Sequence, residues 1–356
     1  MNKDLLYTLY AIHSPSGRER KMRKFLKRVA REYCGATDIV QDNIGNLLIT
    51  KGESDTYPCV AAHIDQVQEN HSKDFRVVEI DGDAVGYSIK SHSQQGLGAD
   101  DKNGIFICLE MLRKYDAIKV AFFVGEETGC VGSSAVDLSF FSDCRYIIEP
   151  DRKGKSDLIT SMFCGAVCSN DFIEAIGYES YGYKIKQGSV TDVGTLVERG
   201  VGISCLNLSC GYYDAHTDNE ICVLSELENC LDFVSHIIDT LGDVYPYEYN
   251  DTYYNYYTGN RKNKYSKYSD CDWYDDYYGY YDEDYYYSCG YYDEDYNTIK
   301  EIIEVLGVSD FNSMLAQYRD YFRVFDVVRN KHNAEDLLKD LYTNIVKYYN
   351  DDKKAI

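Results

Sequence analysis

Apolar positions along the chain fall into short blocks whose spacing switches between the periods of a helix and a strand. Met22, Phe25, Leu26, Val29, Ala30 and Tyr33 recur at helical intervals within 18–33, with basic residues on the opposite face, which predicts an amphipathic surface helix. Two strand-like runs, 38–40 and 47–50, flank an Asn-Ile-Gly-Asn turn at Gly45, so a hairpin is expected. The run YPCVAAHID, 57–65, is apolar on both faces until it stops at His63 and Asp65, as a buried strand does on reaching the edge of its sheet. A second hairpin is expected over 75–89 around Asp-Gly-Asp, then a helix over 103–115 with Ile105, Leu109 and Leu112 inward. Further buried strands are predicted at 119–124, 145–149 and 202–208, running into GEETG, PDRKG and SCGYYDAHTDNE. Leu224, Leu227, Leu231, Val234, Ile238 and Leu241 mark a long helix that closes the unit near residue 243.

Strands alternating with helices predict an α/β protein, a three-layer α/β/α sandwich on a largely parallel mixed sheet. Functional groups in such folds collect beyond the carboxyl ends of the strands. Here each charged cluster follows a strand.

Composition divides the chain into three. Of 356 residues 37 are Tyr and only 4 Pro, and the tyrosines are unevenly placed. Within 245–296 there are 20 tyrosines in 52 residues, with 12 acidic against 4 basic side chains and no aliphatic period. A segment so poor in aliphatic residues does not offset its ordering entropy, so it reads as a low-complexity insertion or linker, or as a tract for self-association or a partner protein. Helical spacing returns at 298–306, 311–328 and 334–349, enough for a small C-terminal helical appendage. The expected division is therefore 1–243, 244–296 and 297–356.

A net charge of −22 argues against nucleic acid and anionic membrane as partners, since phosphate contacts need clustered Lys and Arg. The start lacks the basic region and apolar core of a signal peptide, and no apolar run approaches a membrane span, so a cytoplasmic location is expected. Thirteen cysteines, several inside apolar runs, read as small buried hydrophobes of a reducing compartment. Cys164 and Cys168 form the one close pair, without the second pair a structural zinc would need.

Five clusters of acidic or imidazole groups stand at strand ends: His63 with Asp65, Asp100 in QQGLGADDKNG, Glu126 with Glu127, Asp151, and His216. Each alone is ordinary as a turn or surface feature. Together they have no reason as independent surface residues to follow successive apolar strands in this order, and their mixed nitrogen and oxygen donors suit zinc, with cobalt or manganese as substitutes.

The order HID, GADDKNG, GEETG, PDRKG and YYDAHTDNE resembles the dinuclear-zinc exopeptidases, the group of leucyl-type aminopeptidases, tripeptidase T and the carboxypeptidase G family. The resemblance covers about residues 5–243, including SPSGRE near the start and GSVTDVGTLVERGVGISCLNLSCG near the end. It implies two Zn²⁺ per chain. His63 and Asp151 would hold one metal, Glu127 and His216 the other, and Asp100 would bridge them. Asp65 would orient the His63 ring, and Glu126 would be the general base. Asp101 stands where the family often has a cis peptide. Glu149 rivals Asp151 as ligand; Asp151 is preferred because it is expected just past the strand.

The chemistry implied is peptide hydrolysis, in which two ions about 3.5–4 Å apart share a water, lower its pKa and clamp the attacked carbonyl. Relatives of the tripeptidase and carboxypeptidase branches insert a lid between the fourth and fifth ligand motifs, whereas 152–215 leaves no room for one. That resembles the compact aminopeptidases, with a free peptide amino terminus as substrate. The segment 178–192 would line the pocket, with Asp192 gripping the amine or else capping the helix predicted at 193–199. An amidase or N-deacylase of small acylated amino acids is the alternative on the same fold, and a scaffold acting through the tyrosine-rich tract is the alternative of another class.

Overall fold

The computed structural model describes residues 1–68, 70–162 and 165–249. All candidate site residues belong to one compact unit of the chain. Helices α1 (Lys3–Ala11) and α2 (Arg20–Glu32) lead into β1 (Asp38–Gln41) and β2 (Leu47–Lys51), the expected antiparallel hairpin. There follow β3 (Tyr57–His63), β4 (Phe75–Ile80), β5 (Asp83–Ser88), the short β6 (Ser93–Gln94) and α3 (Ala99–Lys114). Next come β7 (Ile118–Phe123), α4 (Val131–Ala135), β8 (Cys144–Arg152), β9 (Asp157–Met162), β10 (Gly165–Ala166) and α5 (Asn170–Ala175). The remainder is β11 (Lys184–Gln187), α6 (Asp192–Glu198), β12 (Cys205–Ser209), β13 (Tyr212–Tyr213), β14 (Ile221–Val223) and α7 (Leu224–Thr240).

Nine strands form the main sheet in the order β1-β2-β7-β3-β8-β12-β9-β10, with β11 beside β9. Its centre, β7-β3-β8-β12, is parallel throughout, and antiparallel strands flank it, so the sheet is mixed as expected. A smaller sheet runs β13-β14-β5-β4, with β6 beside β5.

Side-chain alternation builds the layers. Val60 and Ala62 of β3, Val120 and Phe122 of β7, and Tyr146 and Ile148 of β8 enter one core, which α1, α2, α3 and α7 cover. Their neighbours Cys59, Ala61, Ala121, Phe123 and Ile147 point the other way, into a second core beneath α4 and α6. Burial on both faces explains the unbroken apolar runs in the sequence. Each large apolar side chain so buried stabilises the fold by about 1.5–3 kcal/mol.

The segment from Asp157 to Ser209 adds β9 and β11 to the main sheet, leads through α5 and α6 and ends in β12, forming no separate lid among the described residues. The described cysteines are free and buried; Cys164 lies outside the described residues. So do 250–356, which hold most of the tyrosine-rich tract and all of the expected C-terminal helices.

The composition boundary at 244 is not a packing boundary. Tyr245 exchanges backbone hydrogen bonds with Arg145 and Ser204, and its ring centroid lies 4.9 Å from that of Phe172. Pro246 bridges to Ile203, and the Tyr247 hydroxyl donates to the Ala166 carbonyl at 2.8 Å. Residues 245–249 thus extend the folded unit, because an aromatic side chain packs as well against a sheet edge as an aliphatic one.

Candidate metal centre

Sheet topology sets the site. β3 lies between β7 and β8, so the chain winds to one side of β3 and then to the other, and a crevice opens beyond the carboxyl ends at that reversal. His63 is the last residue of β3 and pairs in register with Phe123 of β7. Val60 pairs with Ile148 of β8, and the same register continued brings His63 level with Asp151. Glu126 and Glu127 lie just past the end of β7.

Two triads result, sharing one residue. His63, Asp100 and Asp151 form the first, and Asp100, Glu127 and His216 the second, with ligand atoms in each mutually within 4.8 Å. His63 Nε2 is 3.1 Å from Asp100 Oδ1 and 3.6 Å from Asp151 Oδ1. His216 Nε2 is 3.2 Å from Asp100 Oδ2 and 3.0 Å from Glu127 Oε2. Asp100 therefore turns one oxygen toward each histidine. Glu126 belongs to neither triad, and its Oε2 lies 4.0 Å from His63 Nε2. The His63 side is buried, whereas the His216 side chain is 35% exposed and marks the open side of the site.

Asp65 does more than orient His63. Its carbonyl and carboxylate oxygens lie 3.1 and 3.4 Å from His63 Nδ1. The carboxylate also accepts the backbone N–H groups of Glu126 and Glu127, at 3.0 and 3.3 Å, and the Ser16 hydroxyl at 2.7 Å. One carboxylate so fixes the ring and the loop bearing both glutamates. Ser16 comes from the SPSGRE segment, whose place in the site spacing alone did not reveal.

Asp100 and Asp101 interrupt the start of α3 with non-helical backbone, and the peptide between them is cis. Asp101 accepts the N–H of His63 at 3.3 Å and of Gly104 at 2.9 Å. A Cβ at Gly104 would fall 2.4 Å from the Asp101 carboxylate, so only glycine fits there.

Glu149 and Asp151, the expected rivals, differ in their partners, and Glu149 keeps Oε1 buried without one. β8 runs to Arg152, so both residues lie within the strand, contrary to the expectation that Asp151 follows it. Glu149 Oε2 accepts the Thr191 hydroxyl and the N–H of Val193, spending that oxygen on the start of α6. Asp151 faces His63 instead.

Asp192 is fully buried in the first turn of α6, and its Oδ1 accepts the Ser133 hydroxyl at 2.5 Å. The N-cap is Thr191. Asp192 thus ties α6 to α4, and with no exposed surface it meets no solute in this conformation, which departs from both the amine-grip and the capping expectations. A cavity of about 460 Å³ is lined by Tyr178, Glu179, Ser180 and Ile185, with no ligand residue in its wall. The end of the segment 178–192 reaches the site, where the Thr191 hydroxyl is 3.5 Å from Asp151 Oδ2.

Electrostatics favour cations. Asp100, Glu126, Glu127 and Asp151 pair with histidines and with no Lys or Arg among the described residues. Burial raises the pKa values of Glu126, Glu127 and Asp151, and their neighbouring carboxylates add to it. Burial pulls the two histidines down, but the facing carboxylates outweigh it, holding His63 well above its ordinary value and His216 up at about 11. Asp100 is depressed: burial raises it, and the hydrogen bonds and charges of both histidines more than reverse that. Glu127 Oε1 is buried without a hydrogen-bond partner, a polar atom that a cation would satisfy. Nitrogen and carboxylate donors in groups of three suit a catalytic zinc.

Metal must displace these protons. Since the histidines are protonated at neutral pH in the metal-free protein, zinc affinity is expected to rise with pH toward about 11 for His216. Calorimetric titration at pH 7 in two buffers of different ionisation enthalpy should show buffer-dependent heats from released protons. Identical heats would show that the ligands bind already deprotonated.

Among the described residues no helix is long and apolar enough to cross a membrane. No protein-family profile matches the chain. Solved structures do. The aminopeptidase PepT of Bacillus cereus superposes with a TM-score of 0.57 at 17% identity, over 66% of this chain and 96% of that one. A tripeptidase of Staphylococcus aureus gives 0.54 at 15% identity, over 66% and 96%. The TET aminopeptidase of a marine-sediment Thaumarchaeota archaeon gives 0.51 at 15%, over 68% and 97%. The chain has the fold of these peptidases.

Proposed function

We propose that the protein is a two-metal exopeptidase, an aminopeptidase that hydrolyses the first bond of peptides with a free amino terminus. The observation that carries this reading is Asp100, whose two oxygens face two separate histidine–carboxylate groups 3.1 and 3.2 Å away. His63 and Asp151 would hold one ion, Glu127 and His216 the other, and Asp100 both. Bound divalent ions, Zn²⁺ in this reading, would supply Lewis acidity toward the scissile carbonyl and acidify a water.

The remaining steps belong to side chains. Glu126, outside both triads and raised by burial, is placed to take a proton and return it to the leaving amine. Beside bound cations it would lose part of that elevation. Asp65 keeps it in place through the Glu126 N–H. The likeness in fold to an aminopeptidase and a tripeptidase supports peptides as substrate. A separate role for 245–296 in self-association or partner binding stays a proposal on sequence grounds.

Metal analysis joined to assays before and after chelation tests this. Two ions per chain are expected, with hydrolysis of aminoacyl substrates lost on chelation and restored by Zn²⁺. Cleavage of N-acyl amino acids in preference to aminoacyl substrates would move the assignment to a deacylase. Fewer than two ions at full loading would sink the two-metal reading.

A further inference from the structure

Behind the two triads lies a carboxylate that the proposed chemistry does not use. Glu220 is fully buried, four residues beyond His216 in the same loop. Its Oε1 accepts the backbone N–H of Asp100 at 3.1 Å, and its Oε2 that of Gly98 at 2.6 Å. Gln68 Nε2 donates to the same Oε2 at 3.3 Å, and Gln94 Nε2 donates to the Glu220 carbonyl at 3.3 Å. Gln68 in turn accepts from Gln66, whose Oε1 takes the buried Lys102 ammonium at 2.7 Å.

We propose that Glu220 is a positioning residue for the metal site, clamping the Gly98–Asp100 turn to the His216 loop so that Asp100 stands between both histidines. The inference rests on the two-metal reading above.

The first N–H groups of a helix have no partner within it. Gly98 occupies the N-cap of α3, has φ +62°, and carries no side chain to cap with. A side chain there would not fit, since a Cβ would stand 2.9 Å from the Lys102 Nζ and the Gln66 side chain. Regular helix begins only after Asp101, whose own carboxylate caps it at the Gly104 N–H; the Gly98 and Asp100 N–H groups stand in the turn ahead of it, and their acceptor comes from a distant part of the chain, the loop that supplies the last ligand. His216 and Asp214 hold left-handed backbone with φ of 68° and 52°, conformations that persist in non-glycine residues only where the surroundings fix them. Pinning Glu220 against α3 fixes one end of that loop, and pairing of β13 with β14 joins its two flanks. Both metal groups are thereby set by one carboxylate, through the backbone of Asp100 on one side and the placement of His216 on the other.

Glutamate suits this because both oxygens accept. In Glu220→Gln one of the two N–H donors faces an amide N–H₂ instead, at unchanged side-chain size. The experiment measures zinc and cobalt(II) affinity by competition with a chromophoric chelator, the visible absorption of the cobalt-loaded protein, and the melting temperature of the metal-free protein. Wild type, Glu220→Gln, Gln68→Ala and His216→Ala are compared. Glu220→Gln is expected to weaken both ions by about 10–100-fold, as loss of a partner behind a ligand does, and to shift the cobalt spectrum, with metal-free melting near wild type. Gln68→Ala should weaken both ions by a smaller factor, and His216→Ala chiefly one.

Unchanged affinities and spectrum in Glu220→Gln would overturn the inference. So would a loss fully matched by collapse of the metal-free melting temperature, which marks a purely structural role. Should Glu220→Gln fail to fold, Gln68→Ala decides alone, and wild-type affinity at both sites overturns it. A wild-type protein that never takes two ions would sink the two-metal reading, and this inference with it, before any variant is compared.

Discussion

Glu126→Gln is expected to keep both ions while its turnover falls by roughly 10² to 10⁴, the usual worth of a positioned general base. The substitution keeps the side chain's size and removes only its capacity to carry the transferred proton. Retention of metal follows from geometry, because Glu126 belongs to neither ligand triad. Retention of the loop follows as well. The tie to Asp65 runs through the backbone N–H of Glu126, and that of Glu127 beside it, and neither depends on the side chain at 126. Two long side-chain contacts are at risk, the Cys130 thiol to Glu126 Oε1 at 3.7 Å and Glu126 Oε2 to His63 Nε2 at 4.0 Å, and a glutamine oxygen can still serve one of them. Metal content and steady-state kinetics measured on the same preparation check the result. Hydrolysis at the wild-type rate would remove Glu126 from the mechanism, and loss of an ion would make it a ligand instead.

What the sequence disclosed about this site follows the kind of constraint acting at each position. His63, Asp100, Glu127, Asp151 and His216 were legible because each follows an apolar run or a glycine turn, and runs of that kind form only where a strand is buried on both faces. The same logic placed β3, β7, β8, β12 and α7 within a few residues. Short elements were missed. α1, β9 to β11, β13 and β14 carry too few residues for a period to show, and β9, β11 and β14 are placed by pairing with strands elsewhere in the sequence. Glu220 and Lys102 were missed for a related reason. Each stands in a polar stretch, HTDNE or GADDKNG, where a buried residue looks like its solvated neighbours. Burial raises the Glu220 carboxyl to about 7 and lowers the Lys102 ammonium to about 7, the mark of two groups folded into the interior, yet nothing in spacing reports it. For Glu220 the one local sign was the apolar run Ile221–Val223 that follows, which makes it the last residue before a strand. Asp192 misled in the opposite sense: Thr-Asp ahead of a helix suggests an exposed cap, and only the packing of α6 on α4 shows the carboxylate enclosed with Ser133.

Asp100→Ala is expected to empty both metal positions together, whereas His63→Ala should empty chiefly one. Removing Asp100 leaves His63 with Asp151 and His216 with Glu127, two protein ligands at each position where a catalytic zinc ordinarily has three. Removing His63 leaves the Asp100, Glu127 and His216 group whole. The fall in affinity for Asp100→Ala should exceed the roughly 10–100-fold that follows loss of a partner behind a ligand, because here donor atoms themselves are lost. A second effect partly offsets this one. His216 is raised first by its hydrogen bond to Asp100, and His63 by the charge of Asp151 and then by Asp100, so removing Asp100 lowers the hold on both protons, most at His216. The variant therefore starts with fewer protons to displace, so any loss of affinity measured at neutral pH understates the loss of coordination. Equilibrium dialysis against zinc, with metal counted per chain in wild type and both variants, separates the cases. One ion retained at wild-type affinity in Asp100→Ala would show that the two groups do not share this carboxylate, and the bridge between them would have to be sought elsewhere in the site.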